Sequence, residues 1–131
     1  MTRSETTKIL AILTAAFPGA YRNLNEEEAN GVVSVWNLHF ANFPADIVFM
    51  ALNKAISTSK KYPPTICEVK EKISSLYYEA YDALNGGFPL TEELNREYQR
   101  IYDITKDYKV SKTEIELSDI LINSSRQYLL E

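Results

Sequence analysis

The side chains in this 131-residue chain that could do chemistry are few and far apart. His39 is the single histidine and Cys67 the single cysteine. A nucleophile needs a base within hydrogen-bond reach, and a structural or catalytic metal needs three or four convergent ligands. Cys67 has neither a second cysteine nor a histidine near it in the sequence, which favours a structural role. His39 sits beside Trp36 and Phe40 and reads as an ordinary helix-end residue. The acidic run Glu26-Glu27-Glu28 has the composition of a metal or basic-partner site. It also falls in the first turn of a helix, where the helix dipole favours negative charge, and that reading is the simpler one. The pattern G-x-x-x-x-G-K-[ST] is missing, as is G-x-G-x-x-G, so no nucleotide-binding loop is expected. No catalytic residue, metal or cofactor is assigned.

Two constellations remain. Lys54, Lys60, Lys61, Lys70 and Lys72 surround a double proline, with only Glu68 and Glu71 to offset them. This is a solvated rim or a contact for phosphate or an acidic partner. It lacks arginine and interleaved exposed aromatics, so base readout is not expected. The second is an amphipathic set near the C-terminus: Leu94, Tyr98, Ile101 and Tyr102, then Leu117, Ile120, Leu121 and Tyr128. Tyrosine keeps one end wet while burying the other, which suits a surface that docks on a partner.

The elements that must position these residues are all helical. Thr2 and Glu5 make a capping box before Ile9, Ile12, Leu13, Ala16 and Phe17, which repeat at helical spacing, and Pro18-Gly19 stops that helix. Asn25 caps a second helix with the stripe Ala29, Val32, Val33, Trp36 and Phe40. Pro44 suits the first position of a third helix, whose wide apolar face is Ile47, Val48, Ala51, Leu52, Ala55 and Ile56. Pro63-Pro64 forbids helix, and Thr65 with Glu68 opens a fourth one through Ile66, Val69, Ile73, Leu76, Tyr77, Ala80 and Leu84. Asn85-Gly86-Gly87 closes it with a C-cap signal and a hinge signal. Thr91 caps a fifth helix, and Ser111 with Glu114 a sixth. The expected fold is all-α: a bundle of four helices over residues 1–85, followed by a C-terminal amphipathic arm over 86–131 that binds a partner.

Composition agrees with a folded chain. Hydrophobic residues make up 45% and charged residues 24%. The net charge of −4 argues against DNA as the main partner, so direct DNA binding is expected to be weak or absent. Residues 1–85 carry 8 basic and 9 acidic side chains and residues 86–131 carry 6 and 9, so the excess of acid lies in the second part. A lone cysteine, a polar start and no apolar run of ~18 residues point to a cytoplasmic protein with no membrane contact.

Several segments in order resemble the replicative helicase loader/inhibitor proteins of phages of Gram-positive bacteria. They are Glu5-Thr6-Thr7-Lys8-Ile9-Leu10 ending in Ala16-Phe17-Pro18, the helix from Glu28 to Trp36 with Val35-Trp36, and Phe43-Pro44-Ala45-Asp46-Ile47-Val48 with Ala51-Leu52. Ile56-Ser57-Thr58-Ser59-Lys60 follows, leading to Tyr62-Pro63-Pro64-Thr65-Ile66-Cys67-Glu68-Val69. The match spans residues 5 to 72. The resemblance implies a small, non-enzymatic helical adapter in the host cytoplasm. Such an adapter binds a hexameric DnaB-type helicase, holds it inactive and delivers it to the phage origin with an origin-binding initiator. The alternative is a phage protein that binds and blocks a host helicase loader or another replication protein.

Overall fold

The structure is a computed structural model, and it describes residues 1–59 and 61–107. Among these the regular structure is helical: α1 (Arg3–Ala16), α2 (Glu26–Phe40), α3 (Ala45–Thr58), α4 (Ile66–Asn85) and α5 (Glu92–Thr105). The expected sixth helix, with Ser111, Glu114, Leu117, Ile120, Leu121 and Tyr128, lies outside the described residues, as does Lys60.

Each helix starts where a side chain can satisfy its free amides, α3 excepted. The Glu5 N–H donates to Thr2 Oγ1 at 3.1 Å, and the Thr2 N–H donates to Glu5 Oε1 at 2.9 Å, closing the capping box. The Thr2 backbone bond, with that of its hydroxyl, holds the Glu5 carboxyl below its ordinary value. Asn25 Oδ1 accepts from the Glu28 N–H at 2.7 Å, Thr65 Oγ1 from the Glu68 N–H at 3.2 Å, and Thr91 Oγ1 from the Leu94 N–H at 3.2 Å. Pro44 is the N-cap of α3 rather than its first residue, so that helix begins one residue later than expected and without a side-chain cap. An offset of one residue is ordinary at a helix end.

The chain divides into two compact units, Met1–Ile73 and Ser74–Glu131. In the first, α1 packs on α2 and on α3. Its core is Ile9, Leu13, Val33, Trp36, Phe40, Phe43, Ile47, Val48, Ala51, Leu52, Ala55, Val69 and Ile73, each no more than 6% exposed. Phe40 is its aromatic centre, with ring centroids 5.7 Å from Trp36 and 6.0 Å from Phe43. The predicted stripes mostly face inward; Ile12, Phe17 and Val32 at their margins are half-buried, and Ala16, expected in the α1 stripe, is exposed at the helix end.

Two polar links tie α1 down. The fully buried Thr6 hydroxyl shares its proton between Thr2 O at 2.8 Å and Asn37 Oδ1 of α2 at 2.9 Å. The Met1 ammonium donates to Ala41 O at 2.8 Å and to Phe43 O at 2.7 Å, at the corner between α2 and α3.

In the second unit, Leu76, Tyr77 and Ala80 of α4 and Ile101 and Thr105 of α5 are buried. The Thr105 hydroxyl donates to Ile101 O at 2.6 Å, so burial leaves it satisfied. Gly86-Gly87 follows α4, as the sequence predicts. A Cβ on Gly86 would stand 2.8 Å from the Asp82 carbonyl oxygen, and Gly87 has φ +76, the left-handed region that glycine enters without strain.

Candidate functional site

The amphipathic residues of α5 do not stand alone. Tyr102 stacks on Tyr77 of α4, with centroids 5.4 Å apart and planes 25° from parallel, and lies 6.5 Å from the Tyr81 ring. Tyr81 in turn stacks on Tyr77 at 6.3 Å, and Tyr78 meets Tyr77 edge-on at 5.1 Å. Offset stacks and edge contacts are the favoured aromatic geometries. The result is a row of four tyrosines across α4 and α5. An open cavity of about 430 Å³ is lined by Tyr77, Tyr78, Tyr81 and Asp82. Tyr81 is 46% exposed, so this row reaches the surface.

Of the expected partner-binding residues, Leu94 is exposed, Tyr98 and Tyr102 are half-buried, and Ile101 is buried. Ile101 thus sits beneath the face that Leu94, Tyr98 and Tyr102 present, one helical turn apart along it. The remaining four, Leu117, Ile120, Leu121 and Tyr128, lie outside the described residues. The sequence pattern places Tyr77 in the α4 stripe and gives Tyr78 and Tyr81 no part in a site. The available signal was the i,i+4 pair Tyr77–Tyr81 with Tyr102 on the next helix.

The lysine rim is less unified. Lys61 is exposed, with its Nζ 5.6 Å from the centroid of the Tyr62 ring. Lys54 is half-buried on α3. Lys70 points instead at His39, whose Nδ1 lies 3.0 Å from its Nζ. This contact accounts for His39 in structural terms and joins the end of α2 to the start of α4. Cys67 is exposed. Burial raises the Tyr21 phenol above its ordinary value. Among the described residues, no three His, Cys, Asp or Glu side chains converge as metal ligands, and no helix is long and apolar enough to cross a membrane.

Comparison with known proteins adds what geometry cannot. Residues 1–70 match the family model for the N-terminal domain of the phage SPP1 helicase loader. The chain belongs to this phage helicase loader family. No curated protein and no solved structure matches it significantly. The match ends within α4, so it covers α1 to α3, the proline turn and the Thr65 cap. A helicase loader domain is an adapter of a non-catalytic kind, and membership implies a helicase as partner.

Proposed function

We propose that this phage helicase loader binds a hexameric DnaB-type helicase, holds it inactive and delivers it to the phage origin with an initiator protein. The observation that carries this reading is the family match over residues 1–70. The contact surface is assigned to Leu94, Tyr98 and Tyr102 on α5, backed by Ile101, and the sequence pattern adds Leu117, Ile120, Leu121 and Tyr128 as further contact residues. Exposed apolar and aromatic groups at helical spacing are what a partner groove takes up. The protein acts in the host cytoplasm and makes little or no direct contact with DNA.

Size-exclusion chromatography of the chain with a DnaB-type helicase and ATP tests this. A co-eluting complex with reduced unwinding is expected, and deletion of the residues after Gly87 removes it. If host and phage helicases both elute alone, the reading fails. A second reading draws on the acidic excess of residues 86–131, with 9 acidic and 6 basic side chains. There the arm engages a host helicase loader, and a purified loader ATPase would bind in place of the helicase.

A further inference from the structure

The corner that ends α1 and the proline turn that precedes α4 together form an open groove of about 450 Å³. Phe17, Pro18 and Gly19 line it from the first, and Lys61, Tyr62 and Pro63 from the second. Both walls contain a proline, which has no amide hydrogen to offer, so the lining is poor in backbone donors. Tyr62 is 71% exposed and Phe17 half-buried, which leaves aromatic surface open to solvent. The Ala20 N–H donates to Phe17 O at 3.1 Å, so the α1 corner is a formed turn.

Charge selects the occupant. Among the described lining residues Lys61 is the one charged side chain, and its ammonium is held 5.6 Å from the Tyr62 ring centroid. Arg22 follows the opposite wall by two residues in the sequence. An apolar trough with a cationic edge complements an apolar side chain flanked by carboxylates. So few cations are too weak a footprint for a nucleic-acid backbone.

We propose that this groove seats one aromatic or leucine side chain of an acidic protein segment, whose carboxylates pair with Lys61. The groove lies within Met1–Ile73 and uses none of the α5 residues assigned to the helicase, so either assignment can fail alone.

The test uses the full chain labelled with ¹⁵N and a capped peptide, Glu-Glu-Phe-Glu-Glu, titrated to several millimolar. Saturable shifts are expected at the amides of Gly19, Ala20, Lys61 and Tyr62. K61E and Tyr62→Ala should each weaken binding by about tenfold or more, while Tyr62→Phe binds as the parent does. Both positions are exposed, so circular dichroism should show the variants folded. Equal shifts from Lys-Lys-Phe-Lys-Lys or from Glu-Glu-Ala-Glu-Glu overturn the proposal, as does a failure to saturate. Shifts at the same amides on concentrating the protein alone would give the groove to a second copy of the chain. Stronger binding of a DNA duplex at these amides would give it to nucleic acid. Either result ends the proposal.

Discussion

Truncating Tyr102 to alanine probes the tyrosine row and the proposed helicase contact together. The side chain stacks on Tyr77 at 5.4 Å and lies 6.5 Å from Tyr81. Each aromatic pair contributes about 0.5–1.5 kcal/mol beyond its buried area, so the two pairs together are worth about 1–3 kcal/mol. Full truncation of a buried aromatic costs about 3–5 kcal/mol, and Tyr102 is only half-buried, which gives a figure of about 2 kcal/mol. Tyr102→Phe keeps both ring contacts and should stay within about 0.5 kcal/mol of the parent. Urea unfolding followed by circular dichroism measures these differences. A double-mutant cycle with Tyr77→Ala isolates the pair and should return a coupling of about 0.5–1.5 kcal/mol. Binding to the helicase should fall for Tyr102→Ala and persist for Tyr102→Phe. Additivity to within about 0.3 kcal/mol would refute the stacking argument. Unchanged helicase affinity of the alanine variant would remove Tyr102 from the interface.

Three further outcomes are expected. Phe40→Ala empties the aromatic centre of the first unit and should cost about 3–5 kcal/mol, read as a lowered urea midpoint, because Phe40 is fully buried between Trp36 and Phe43. Gly87→Ala meets no atom within 4 Å but must hold φ +76, so it should destabilise by about 1–2 kcal/mol. Gly86→Ala should also frustrate the last turn of α4, through the Asp82 carbonyl, and thermal melts that show neither effect would contradict this account of the cap. The Glu5 carboxyl is held below its ordinary value by the Thr2 amide, so its charged form is favoured by folding. Stability from this bond is present above the ordinary glutamate value and is lost as pH falls through the lowered one. Acid unfolding curves should therefore drop less steeply for Glu5→Gln than for the parent, and parallel curves would contradict the assignment.

The helices were legible in the sequence because their signals are local. Thr2 with Glu5, Asn25, Thr65 and Thr91 each cap a helix within three residues, and the stripes from Ile9 to Ala80 lie on one face of each helix. Pro44 misled by one residue because a proline suits both the cap and the first turn. The pairings across helices were not legible. Tyr102 meets Tyr77 across two helices and a loop, and Lys70 reaches His39 from 31 positions further along the chain. No periodicity connects such residues, since tertiary packing chooses them. The groove at Phe17 and Tyr62 was hidden for the same reason: its walls come from two turns, each read only as a break between helices.

Thr6 has a bearing on how firmly the first unit is specified. Its hydroxyl has no access to water; Thr2 O serves it within α1 itself, while Asn37 Oδ1 meets it only in the observed alignment of α1 on α2. Sliding α1 along α2 by a single turn, about 5.4 Å, would keep grease against grease but part Asn37 Oδ1 from this hydroxyl. Oily helices alone tolerate many alignments; the Thr6–Asn37 bond favours this one by about 1 kcal/mol. The Asn37 amide on α2 thus reads the position of α1 along its length, a marker that apolar packing does not supply.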